Sequence, residues 1–140
     1  MSKTSHIQRR RASQKRWEHG ALALIVALYL ALAIAYAWAT PRWQNPDEPA
    51  HYNYAREIVD HGRLPVLRPG DYNQQKLQRL LNSKWAGDPD ISAIRYESYQ
   101  PPLYYAIGAL ALAAVPGQDL DLYALRFVSI LCGALVLVVI

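Results

Sequence analysis

From Ala21 to Ala39 the sequence reads ALALIVALYLALAIAYAWA, with no charge, proline or glycine. A helix that is apolar on every side belongs in a large core or in a bilayer. At 1.5 Å rise per residue, about 20 such residues cross the hydrocarbon layer. The chain has 140 residues, and its apolar residues fall in two blocks instead of recurring at helix or strand period, so a water-soluble core is not expected. The run predicts a transmembrane helix over 21–39. The mean hydropathy of -0.07 averages such segments with a polar head and a polar middle.

The charge is arranged around this helix. Lys3, Arg9, Arg10, Arg11, Lys15 and Arg16 precede it, opposed only by Glu18, whereas residues 41–102 carry eight basic and eight acidic side chains. Basic flanks stay cytoplasmic, so residues 1–20 read as a basic cytoplasmic tail and Thr40 onward lies outside. Trp17 below the helix and Trp38 and Trp43 near its upper end suit the two interfacial belts. The net charge of +4 does not indicate a nucleic-acid partner, because the middle segment is balanced. A cleaved signal peptide is the rival reading, since Ala37-Trp38-Ala39 imitates a cleavage site. The run exceeds the roughly 7 to 15 residues of such a region, and a second apolar block follows it. Arg9-Arg10-Arg11 also resembles a twin-arginine signal, but orientation explains it equally well. Cys132, the single cysteine, rules out an intrachain disulfide and reads as a small hydrophobe.

The second block is interrupted. Leu103 to Val115 is too short to span, and Pro116-Gly117-Gln118-Asp119 breaks it. Residues 101–117 are therefore expected to form a juxtamembrane interfacial or re-entrant helix. A second transmembrane helix is expected over 120–140, with Arg126 snorkelling at the outer interface. Ile140 ends this run without a basic flank, so the helix is expected to be incomplete and further C-terminal helices to be missing.

Residues 40–100 form an outer loop with helix signals. Asn45-Pro46-Asp47-Glu48 predicts a start, with Asn45 as cap, Pro46 in the first turn and Glu48 as the capping-box acid. The helix should run to about Asp60 and stop at His61-Gly62, with Ala50, Tyr54 and Ile58 as its apolar stripe. A weaker helix is expected from Asp71 to about Lys84, with Leu77, Leu80, Leu81 and Trp85 on one side. Gly87-Asp88-Pro89-Asp90 reads as a turn. Pro101-Pro102 should open the short helix that follows.

Asp47 and Glu48 complement a helix dipole in the plain reading. In the functional one, a carboxylate there accepts a proton from an acceptor hydroxyl or binds a divalent metal ion bridging a phosphate. Asp47 and His51 are i,i+4 neighbours and form a candidate metal pair, although two ligands do not make a site. Arg56, Arg63 and Arg68 are candidates for a lipid phosphate. Tyr52, Tyr54, Tyr96, Tyr99, Tyr104 and Tyr105 suit interface anchoring, and aromatic faces such as Tyr104 and Tyr105 also bind sugars. The sequence contains no nucleotide-phosphate loop, zinc motif or nucleophile motif.

Two strings, Asn45-Pro46-Asp47-Glu48-Pro49-Ala50-His51-Tyr52-Asn53-Tyr54-Ala55-Arg56 and Tyr99-Gln100-Pro101-Pro102-Leu103-Tyr104-Tyr105-Ala106-Ile107, resemble the start of GT-C class membrane glycosyltransferases. The likeness is to bacterial members related to protein O-mannosyltransferases and lipid A aminoarabinose transferases, and it covers roughly Trp17 to the end. It implies a fragment of a larger polytopic fold that takes sugar from a polyprenyl-phosphate donor, with inversion. Asp47 would be the acidic residue of that family, acting as base or metal ligand, and Glu48 its neighbour. His51 has no uniform counterpart, and Gln100 stands where many relatives carry histidine, so a proton-transfer role there does not carry over.

The expectation is thus an all-α membrane protein with two transmembrane helices joined by an outer loop with amphipathic juxtamembrane helices. It would be multi-pass in the cell membrane with its N-terminus cytoplasmic, and its partners would be membrane lipids, a polyprenyl-phosphate sugar and its own missing helices. The fragment alone is expected to be inactive. The alternative is a non-enzymatic membrane subunit or scaffold that keeps the helices and uses the acidic pair only as a cap.

Overall fold

The computed structural model describes residues 3–45, 47–87 and 89–140, without the side chains of 3–13 and of 118 and 119. The expectations for Pro46, Asp88 and the side chains of Lys3 and Arg9 to Arg11 lie outside the described residues. Among the described residues there are five helices and no strand: α1 (Lys3–Ala39), α2 (Glu48–His61), α3 (Gln74–Asn82), α4 (Leu103–Ala114) and α5 (Gln118–Val139). Two stretches, Gln14–Ala39 and Leu120–Val139, are long and apolar enough to cross a membrane. This is compatible with a membrane location.

The helix holding the first apolar run starts far earlier than expected. α1 reaches back to Lys3, through the segment expected to be a tail. Its residues explain this: Gln, Arg, Lys, Glu and Ala have high helix propensity and no proline intervenes. Gln14 and Glu18 add a side-chain hydrogen bond of 3.1 Å at i,i+4 spacing.

The chain divides into two compact units, residues 1–36 with 130–140 and residues 37–129. In the first, the Tyr29 hydroxyl donates to the Ile130 carbonyl at 3.2 Å. A Cβ at Gly133 would collide with that hydroxyl, so glycine lets the tyrosine lie against the α5 backbone.

The second unit has its own core. Trp43, Ala50, Trp85, Ile94 and Leu122 form one buried cluster, with Leu77 and Leu80 of α3 against it. Ala55, Leu112 and Leu125 form another. α2 ends as expected, with Gly62 in the left-handed region (φ 64) donating to Ile58 O. Its start differs. Asn45 does not cap it, and the helix opens after Asp47, itself left-handed at φ 59 without a side-chain cap bond. α3 begins only at Gln74, because the Asn73 side chain accepts from the Lys76 N–H at 2.9 Å and sets the first turn there. Leu81, expected on its apolar side, is exposed. α4 packs along α2. At Gly108 a Cβ would come within 2.7 Å of Leu125 Cδ2 and 3.7 Å of Ala55 Cβ, so an added methyl would have to displace the end of the Leu125 side chain.

Candidate functional site

The two adjacent carboxylates at the start of α2 turn to opposite tasks. Glu48 points inward and meets Arg126 in a two-pronged pair, Nε to Oε1 at 2.7 Å and a terminal nitrogen to Oε2 at 2.9 Å. The same carboxylate accepts from the Trp43 N–H at 2.9 Å and from Asn45 Nδ2 at 3.0 Å. With both oxygens engaged by a guanidinium, Glu48 has no lone pair left for a reacting proton.

Arg126 does not snorkel as expected. It is 7% exposed and donates to the carbonyls of Ala37 at 2.6 Å, Thr40 at 2.7 Å and Pro41 at 3.1 Å. The Ala37 oxygen lies in the last turn of α1, which has no basic residue there, and those of Thr40 and Pro41 lie just past its end. Carbonyls orphaned at a helix terminus need donors, and a cation there also answers the helix dipole. The sequence did carry a signal: an isolated arginine in an apolar helix is normally paired inside the protein.

Asp47 stays exposed. Among the described residues one donor reaches its carboxylate, the Tyr96 hydroxyl, at 2.6 Å to Oδ1. Aspartate tolerates the left-handed conformation better than most residues, and Asp47 adopts it here at φ 59. Burial, then the bond to Asp47, pushes the Tyr96 hydroxyl far above its usual range, so it remains a donor at neutral pH.

His51 faces a different tyrosine. Its Nδ1 lies 2.7 Å from the Tyr105 hydroxyl. Tyr105 stacks on Tyr54 with ring centres 3.6 Å apart and planes 7° from parallel, and the Tyr54 hydroxyl donates to Gln100 O at 3.1 Å. Both rings are 3% exposed, so they are core and not interface anchors. Burial, then the charge of Glu97, raises Tyr105 well above the usual phenol range. Tyr104 is less buried and shares a 2.7 Å hydrogen bond with Ser129 Oγ. Of the two tyrosines proposed to meet a sugar, Tyr105 offers little accessible face.

Arg56 is held by acids. It contacts Asp60 at 2.7 Å and Asp121 at 3.3 Å, and Asp121 also accepts from the Tyr52 hydroxyl at 3.0 Å. Arg63 pairs with Glu57. Among the described residues no group of three or more His, Cys, Asp or Glu side chains is arranged to hold a metal ion, and Asp47 and His51 turn to different tyrosines. Among the described residues the proposed pair Asp47 and His51 therefore does not converge on one position. Asp121, the Glu57–Arg95 pair and the Tyr96 partnership escape a sequence reading, because each depends on a contact across at least 38 residues of chain.

No protein-family model, no curated protein and no solved structure matches this chain.

Proposed function

We propose that the chain is the N-terminal part of a GT-C class membrane glycosyltransferase that moves a sugar from a polyprenyl-phosphate carrier to an acceptor on the outer face of the cell membrane. The likeness of the segments 45–56 and 99–107 supports the class. The observation that carries the reading is the split at α2: Glu48 is consumed by Arg126, while Asp47 stays exposed with one tethering donor among the described residues. Asp47 then accepts the proton of an acceptor hydroxyl as that oxygen attacks the anomeric carbon. The bond from that carbon to the phosphate oxygen breaks, polyprenyl phosphate leaves with the electron pair, and the sugar inverts. Tyr96 holds Oδ1 and leaves the second oxygen for the acceptor.

The test is transfer of radiolabelled sugar from polyprenyl-phosphate donors in membrane vesicles carrying the full reading frame. Asp47→Asn is expected to abolish transfer at matched expression, a loss of about 100-fold or more. Equal transfer by the variant would reduce Asp47 to a local structural residue. No transfer by either protein across several donors would favour a non-enzymatic membrane subunit.

A further inference from the structure

Beyond Gly62 the chain runs Arg63-Leu64-Pro65-Val66-Leu67-Arg68 before the turn at Gly70 and Asp71. Pro65 is buried, but Leu64, Val66 and Leu67 are 52%, 67% and 46% exposed between two arginines. Beside this loop lies a cavity of about 220 Å³ that brings Arg63, Arg68 and Arg95 together, with Leu64 and Val66 as its apolar wall.

The cavity's two carboxylates are already engaged. Glu57 is buried and accepts from Arg63 Nε at 2.9 Å and from Arg95 at 3.0 Å. Asp71 Oδ2 accepts the backbone N–H of Arg68 at 2.7 Å. Arg63 and Arg95 each commit one nitrogen to Glu57, and a guanidinium carries five N–H donors. Among the described residues the Arg68 guanidinium has no acceptor. Three cations against two anions leave the cavity with an excess positive charge, in the fork geometry that matches phosphoryl oxygens. Its volume lies below the roughly 300 Å³ of pockets that take whole drug-sized ligands, which leaves room for a headgroup and not for a nucleotide. Exposed apolar side chains flanked by cations are the composition that binds an anionic bilayer surface.

We propose that this cavity binds the phosphoryl headgroup of an anionic phospholipid, with Leu64, Val66 and Leu67 against its acyl chain. The inference needs a bilayer around the spanning helices but not the glycosyl-transfer reading, and its readout is binding, not turnover.

The full chain in an uncharged detergent is titrated with dioctanoyl phosphatidylglycerol and separately with inorganic phosphate, with bound lipid counted by native mass spectrometry. Saturable lipid binding is expected, weakened about tenfold in Arg68→Ala through loss of one charge-assisted pair. Arg68→Lys should retain part of it, and Val66→Asp should weaken it independently. Neither position touches the Glu57 pairs, and unchanged helical circular dichroism checks that the variants fold. Wild-type binding in both Arg68→Ala and Val66→Asp would overturn the proposal. Inorganic phosphate binding as tightly as the lipid would overturn the lipid assignment. So would a short polyprenyl phosphate that binds through the same residues while phosphatidylglycerol does not.

Discussion

Leu32, in the unit formed by residues 1–36 and 130–140, is 71% exposed, and Leu24, Ile25, Leu28 and Ile34 of the same helix are exposed as well. Leu122, in the unit formed by residues 37–129, is fully buried beneath two tryptophans and an isoleucine. Among the described residues neither buried apolar cluster falls in the first unit. The second buries aromatics, aliphatics and ion pairs together. An unbroken apolar run is thus left open by the protein, as a membrane location would allow, while an apolar residue beside charges marks where the protein solvates itself. Stability of the second unit should respond to mutation in detergent, and that of the first should respond mainly to the lipid around it.

The largest expected effect is at Arg126. Arg126→Ala leaves Glu48 without its cation and the Ala37 and Thr40 carbonyls without that donor. Breaking such a pair costs about 3–5 kcal/mol. Denaturant unfolding followed by the fluorescence of Trp43 and Trp85 should show the shift, and an unchanged midpoint would remove the pair from the account. A smaller contrast sets Leu122→Ala, expected to cost about 2–5 kcal/mol, against Leu32→Ala, expected within about 0.5 kcal/mol in the same assay. Equal losses would erase the distinction between the units. Gly108→Ala should cost about 1–3 kcal/mol, because the added methyl meets Leu125 inside a packed core.

The smallest effects concern pH, and their signs are fixed. Burial alone would raise Glu57, but the hydrogen bonds from Arg63 and Arg95 outweigh it and hold the carboxyl below its ordinary value of 4.5. A lowered folded value means that this stability is present above pH 4.5 and is lost as pH falls through the folded value. Glu57→Gln should flatten the acid limb of stability against pH. Tyr52 is pushed up to about 12 by burial, then by its hydrogen bond to Asp121. That contribution is complete below pH 10 and lost as pH rises towards about 12, and Tyr52→Phe should remove the alkaline dependence.

Elements whose signals are local were legible in the sequence. The apolar run over 21–39, the glycine stop at Gly62 and the double proline before Leu103 each act through neighbouring residues of the chain, without a distant partner. What escaped depends on distant partners. Asn45 matches a cap by residue type, yet its amide serves Glu48, because Arg126 draws that carboxylate inward and the chain bends at Asp47. Arg126 looked like an interfacial charge because its acceptors come from the end of α1 and the start of α2. The tyrosines matched interface anchors by type, but Tyr54 and Tyr105 meet only when α2 and α4 pack. Asp47 was legible as a candidate, and its separation from Glu48 was not.

That separation is tested most directly by measuring unfolding midpoint and sugar transfer side by side for Asp47→Asn and Glu48→Gln in the full reading frame. Asp47→Asn is expected to keep the wild-type midpoint and lose transfer, while Glu48→Gln lowers the midpoint and retains transfer in the fraction that folds. The reverse pattern, with Glu48→Gln folded and inactive and Asp47→Asn active, would contradict the division of roles between the two carboxylates.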